Sequence, residues 1–184
     1  MTLDWRLNRN NMWKRINSAA IFVLVCALTV SAFQNADWIK VAPVGAGFSI
    51  LMPGKPEEEV KSAPDFTLHL FSIMAGKTIY IAGYGDYAPS IKLAPDGELV
   101  ANRDNFLKGL NATLVASKQI TLDGHPGLEF TGESEQASFK SRVYLFGNRV
   151  YQVAVAVLGK TDSTNTDRFF ASFAFANSES HSKP

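Results

Sequence analysis

The stretch that decides the fold is residues 142–158, RVYLFGNRVYQVAVAVL, because it contains two strands and the turn between them. Gly147-Asn148 separates two runs rich in β-branched and aromatic residues, which is the pattern of a tight β-hairpin. The second run, residues 149–158, is apolar on both faces apart from Gln152. We therefore expect it to be a central strand that is covered on both sides.

Similar runs occur on both sides of this hairpin and predict a mostly antiparallel sheet. Ala75-Gly76 and Asp123-Gly124 separate neighbouring runs at spacings that suit hairpin turns. Residues 55–64 are polar and predict a solvated loop or a sheet edge. The other predicted strands are residues 48–52, 66–74, 77–87, 113–122, 127–133, 138–146 and 173–175.

Two segments change to helical spacing and predict the helices of the domain. Leu99, Phe106 and Leu107 recur at the interval expected of one helix face, over residues 97–111, with Asp96 as the N-cap. A shorter helix is expected over residues 165–172, where Phe169 and Phe170 supply its apolar side. The predicted fold is α+β, with about six to seven mostly antiparallel strands covered by the main helix and the short C-terminal helix.

The first 32 residues have the order of a targeting segment. Four bases, but only one acid, precede an uncharged apolar stretch from Ala19 to Phe33. A basic head followed by an apolar segment is typical of a signal peptide, and Val30-Ser31-Ala32 suits cleavage after Ala32. Two alternatives remain open: residues 16–36 form an uncleaved anchor in the inner membrane, or the stretch is a buried helix of a soluble protein.

These boundaries predict a leader over residues 1–32, one domain over residues 37–176 and a disordered tail over residues 177–184. Cys26 is the only cysteine and lies in the leader, so the domain holds no disulfide and no thiolate ligand. Beyond the leader, acidic residues slightly outnumber basic ones. The domain therefore has no excess positive charge to attract nucleic acid. We expect a periplasmic or extracellular protein whose contact with membrane, if any, is through the N-terminal segment.

Four segments together resemble a known group of proteins: residues 47–56, 123–130, 142–152 and 169–173. Their order and spacing are similar to those of uncharacterised bacterial secreted proteins with the Mog1/PsbP-like fold, including DcrB-like periplasmic proteins. The resemblance implies the same α+β fold over about residues 48–175. It implies no role, because the group includes photosystem subunits, nuclear transport factors and envelope proteins.

The candidate binding residues are Asp86, Arg142, Tyr144 and Tyr151. Aromatic side chains beside arginine are common in partner surfaces, and Asp86 follows the glycine-rich end of a predicted strand. The alternatives are that Asp86 faces water at a strand end and that the other three take part in cross-strand pairing and core packing. An ion pair between Glu129 and Arg142 is a specific form of the second alternative.

No catalytic or metal-binding motif is present in the sequence. His69, His125 and His181 lack the spacing of zinc ligands, and we expect no metal and no cofactor. The function that the sequence supports best is therefore binding: we expect a non-enzymatic, exported envelope domain that binds a protein or small ligand. The alternatives are a structural component of an envelope assembly and a hydrolase with a dispersed site, for example one that pairs Asp86 with Glu129.

Overall fold

The computed structural model describes residues 37–159 and 165–176. The predicted leader and the predicted disordered tail lie outside the described residues. Within those residues, neither helix is both long and apolar enough to cross a bilayer. The elements are β1 (Ile39–Val41), β2 (Phe48–Met52), β3 (Glu57–Ala63), β4 (Phe66–Ala75), β5 (Thr78–Tyr87), α1 (Pro95–Gly109), β6 (Thr113–Leu122), β7 (His125–Glu133), β8 (Ala137–Phe146), β9 (Arg149–Leu158), α2 (Asn165–Ala171) and β10 (Ala174–Phe175).

The main sheet has seven strands in the order β3-β4-β5-β9-β8-β7-β6, and every neighbouring pair is antiparallel. Strand β9 lies fourth of the seven, so the prediction of a central strand is confirmed. Its apolar residues pack on both faces of the sheet: Val153 and Val155 belong to one core cluster and Val150 to another. We call the side with Val153 the front face and the side with Val150 the back face.

The front face is covered by a second sheet and by α2. Strands β1, β2 and β10 form this separate sheet, in which β2 pairs with both of the others. Phe48 of β2 is buried and its ring contacts the rings of Tyr84, Tyr151 and Phe173. The sequence predicted β2 and β10 as strands, but their separation from the main sheet is a finding of the structure.

The back face is covered by α1, which packs on β7 and β8. Leu99 and Leu107 are buried against Phe130 of the sheet. The buried carboxylate of Glu98 accepts a hydrogen bond from the hydroxyl of Tyr87. The prediction that one helix covers each face is confirmed, with α1 on the back face and α2 on the front face.

Three details of the sequence prediction are corrected. Asp96 does not cap α1: the N-cap is Ala94, and Pro95 occupies the first helical position, where its missing N–H costs nothing. Helix α1 therefore begins and ends two residues earlier than expected. Strand β7 begins at His125 instead of residue 127, because Asp123 and Gly124 alone form the turn, both with positive φ.

Candidate functional site

Four side chains form a row across the front face at the end of the sheet where the β6–β7 and β8–β9 hairpins turn. Phe146 of β8 and Asp86 of β5 both pair in register with Arg149 of β9. His125 of β7 stacks on Phe146, with ring centroids 3.8 Å apart and planes inclined by 23°. We call His125, Phe146, Arg149 and Asp86 the tip row.

Arg149 connects this row to the second sheet. Its Nε lies 2.5 Å from Oδ1 of Asp86 and its Nη2 lies 2.8 Å from Oδ2, so the guanidinium holds the carboxylate with two hydrogen bonds. Its Nη1 donates to the carbonyl oxygens of Gly45, at 2.7 Å, and Ala46, at 3.0 Å. The hydrogen bonds to Asp86 raise the pKa of Arg149 above its usual range, so the site keeps its positive charge.

Two buried tyrosines fix the plane of that guanidinium. The Arg149 guanidinium lies 4.5 Å from the ring centroid of Tyr84 and 5.9 Å from that of Tyr151. Burial raises the pKa of Tyr84 despite the nearby arginine, so its phenol stays neutral. A Cβ at Gly47 would lie 2.7 Å from the Tyr151 hydroxyl oxygen, and Gly47 has a φ of 71°. The loop that approaches Arg149 therefore requires glycine at this position.

The other half of the tip row is aromatic, with His125 half-buried and Phe146 exposed. Phe146 keeps 44% of its surface exposed although it stacks on His125 and meets the edge of Phe175. Val44, in the loop whose carbonyl groups bind Arg149, is fully exposed. The row thus presents an aromatic surface next to a fixed ion pair.

A second charged group lies on the front face, farther from the hairpin tips. Glu129 pairs with Arg142 in register, with Oε2 2.6 Å from Nε, which confirms the predicted cross-strand ion pair. The Nζ of Lys118 lies 2.9 Å from Oε1 of the same carboxylate. The guanidinium of Arg142 also lies 5.1 Å from the ring centroid of Phe170 in α2.

These contacts control the ionisation of Glu129, whose side chain is 12% exposed. Burial by itself would raise its pKa, but the hydrogen bonds from Lys118 and Arg142 outweigh that effect and hold the pKa below its ordinary value of 4.5. A carboxylate with a lowered pKa stabilises the folded state at pH values above its unfolded pKa. That stabilisation is lost as the pH falls through the folded-state pKa.

Glu129→Gln should therefore lower the free energy of unfolding by about 1–2 kcal/mol near neutral pH. The difference from the native chain should stay constant above about pH 6 and shrink as the pH falls below the ordinary value of 4.5. Urea unfolding at a series of pH values measures it. A difference that does not change between pH 7 and pH 3 would show that the ion pair does not stabilise the fold.

The predicted candidate residues all lie on the front face, but in different places. Asp86 belongs to the tip row. Tyr144 and Tyr151 pair in the next register position and are buried beneath Phe173 and β10, so they act on a partner only through the neighbours they position. Arg142 lies two strands from Asp86 across the sheet and four residues away along the strands, roughly 16 Å in all.

The groups considered for catalysis are also apart. Asp86 and Glu129 are separated by three strand spacings across the sheet and four residues along the strands, about 20 Å in all, and each is held by a different arginine. Among the described residues, no three His, Cys, Asp or Glu side chains lie close enough to hold a metal ion. Two clefts of about 300 and 320 Å³ lie elsewhere, one between α1 and the β6–β7 hairpin and one between β7, β8 and α2.

Sequence reasoning missed His125, Phe146 and Arg149 as members of the site. One signal was available: the two-residue turn at Gly147-Asn148 places Phe146 opposite Arg149. Nothing in the local sequence indicates that Asp86 completes the row. Its position depends on the pairing of β5 with β9, whose residues are separated by more than 60 positions along the chain.

Comparison with known proteins supports the fold assignment. No family model matches the chain, and no curated protein does. The solution structure of cyanobacterial PsbP (CyanoP) from Synechocystis sp. PCC 6803 is similar with a TM-score of 0.56 and 12% identity, over 81% of this chain and 98% of that one. A crystal structure from Bacteroides thetaiotaomicron matches with a TM-score of 0.36 and 14% identity, over 79% of this chain and 50% of that one. The similarity to CyanoP shows that the chain has the Mog1/PsbP-like fold that its sequence motifs predicted.

Proposed function

We propose that this chain is an exported, non-enzymatic binding domain that contacts a protein or small ligand of the cell envelope through the tip row. The observation that carries the proposal is the exposed ring of Phe146 beside the fixed Arg149–Asp86 pair. Aromatic and arginine side chains contribute most of the binding energy at many interfaces. Here both types stand side by side on neighbouring strands.

The rigidity of the row supports a binding role. Three elements fix Arg149: Asp86 on β5, the carbonyl groups of the loop before β2, and the two tyrosine rings beneath it. A side chain that is already ordered loses little conformational entropy when a partner binds. The partner we expect therefore has an apolar group for Phe146 and a hydrogen-bond acceptor that reaches the half-exposed rim of the ion pair.

The binding proposal is tested by capture from the native envelope with the full-length chain as bait. Phe146→Ala should reduce capture of the specific partner at least tenfold, because the exposed ring is lost while the sheet beneath it remains. The matched control is Val60→Ala, which changes a 51% exposed apolar residue on the far edge strand β3. Equal loss with both variants, or with neither, would overturn the proposal.

The export proposal rests on the basic and apolar order of residues 1–32. We expect alkaline phosphatase fused after Pro184 to be active, because this reporter needs an oxidising compartment to form its disulfides. Reversing the basic head, with Arg6, Arg9, Lys14 and Arg15 replaced by glutamate, should abolish that activity. N-terminal sequencing that begins at Phe33 would establish cleavage after Ala32. An inactive fusion of the unaltered chain that is abundant in the cytosol would contradict export.

A further inference from the structure

The two edge strands of the seven-stranded sheet differ in the number of charges that oppose pairing with another chain. Strand β3 carries three glutamates and Lys61, and charges on an edge strand oppose pairing with another chain. Strand β6 carries a single charge, Lys118, whose Nζ lies 2.9 Å from Oε1 of Glu129, the carboxylate that also binds Arg142. Within the described residues, no strand pairs with the outer side of β6.

The β6 edge is long and accessible. All residues of β6 are exposed except Ile120 and Leu122, which are half-buried. The pairing with β7 is interrupted between Leu114 and Ala116, where Val115 bulges out, and is regular from Ala116 to Leu122. The regular edge therefore has seven residues, and Gln119 is the middle one.

We propose that two copies of this chain pair along β6, antiparallel, about a two-fold axis that passes through Gln119. An antiparallel pair of identical strands has its axis at a residue that faces its own copy. An axis at Gln119 uses all seven regular residues of both copies. It places Ala116 opposite Leu122, Ser117 opposite Thr121 and Lys118 opposite Ile120.

Neighbouring registers are less favourable for physical reasons. An axis at Lys118 would place two lysines directly opposite each other, which is destabilising. An axis at Ser117 would bring the bulged Val115 of each copy into the paired region and shorten the regular ladder. The axis at Gln119 therefore gives the longest regular pairing without opposing two lysines.

The proposal concerns a surface other than the tip row and does not depend on it. Phe146 lies on β8, two strands from the β6 edge, so the pairing leaves it exposed. Seven residues bury a small area by the standards of stable dimers, so we expect a weak, concentration-dependent dimer. The partner surfaces of both copies would then be presented on the same side of one continuous sheet.

The test uses single cysteines in the full-length chain with Cys26→Ser. Residues that face each other in an antiparallel pair have Cα atoms about 4.5–5.5 Å apart, which suits a disulfide. Gln119→Cys should therefore oxidise to a covalent dimer at least tenfold faster than Ala116→Cys, whose two copies would be about 20 Å apart along the strands. Val60→Cys on β3 reports random collision. Equal rates at the three positions would overturn the proposal.

A charge introduced at the edge gives an independent readout. Gln119→Lys places two like charges on the axis and should weaken the dimer at least tenfold in sedimentation equilibrium, while Val60→Lys should leave it unchanged. Because Gln119 is exposed, the substitution should not alter the folded domain. A dimer that survives Gln119→Lys, or a native chain that is monomeric at the highest concentrations, would refute the pairing.

Discussion

Replacing Phe48 by alanine should lower the free energy of unfolding by about 3–5 kcal/mol, the largest effect we expect from one substitution. Phe48 is 2% exposed and contacts the rings of Phe71, Tyr84, Tyr151 and Phe173. It packs the small sheet against the front face, within the same core cluster as Ile50 and Met52. Its loss leaves a cavity between two layers that cannot close without moving β2.

Urea unfolding of the Phe48→Ala chain measures this cost, and Phe146→Ala is the control. Both variants remove the same atoms, but Phe146 is 44% exposed and should cost about 1 kcal/mol. If the two variants cost the same, the second sheet would not be part of the core, and the support of Arg149 by the loop before β2 would be in doubt.

Replacing Arg149 by alanine should lower the free energy of unfolding by about 2–3 kcal/mol and also abolish partner capture. The substitution removes two hydrogen bonds to Asp86, two to the loop carbonyl groups and the packing on two tyrosine rings. The side chain is 26% exposed, so solvent reduces the contribution of the ion pair below that of a fully buried one.

Two comparisons separate these contributions. Arg149→Lys keeps the charge but not the planar group, so it should recover less than half of the lost stability. Lys61→Ala breaks a partly exposed ion pair with Glu59 on β3 and should change the stability by no more than about 0.5 kcal/mol. An Arg149→Ala chain as stable as Lys61→Ala would show that Arg149 does not hold the two layers together.

The elements that could be predicted from the sequence are those whose signals are local. The hairpin at Gly147-Asn148 and the apolar strand after it show both their register and their burial within 17 residues. The helical spacing of Leu99, Phe106 and Leu107 identified α1 in the same way. The limits of α1 were displaced because Pro95 is a stronger start signal than the carboxylate of Asp96.

The second sheet could not be predicted because its pairs are distant in sequence. Strand β2 pairs with β10 more than 120 residues later, and neither strand shows which partner it will take. The same reason explains why the burial of the two tyrosines could not be predicted. Tyr144 and Tyr151 look like exposed aromatics on a sheet face until β10 is placed above them.

The arrangement explains how a small domain can present a rigid binding surface at a strand end. Strand ends and turns are usually the mobile parts of a sheet, but here the loop before β2 is held by Arg149, and Asn148 donates to the carbonyl oxygens of Ala88 and Ile91. The layer that completes the core thus also orders the tips.

The central claim is that an exported chain binds its partner through the tip row. Photo-crosslinking in the native cell tests it most directly. The full-length chain carries a benzoylphenylalanine in place of Phe146 or, as the control, in place of Val60. We expect one dominant adduct from position 146, found in the envelope fraction and lost with Arg149→Ala, and none of that size from position 60. Adducts of the same pattern from both positions, or an adduct found only in the cytosol, would contradict the account.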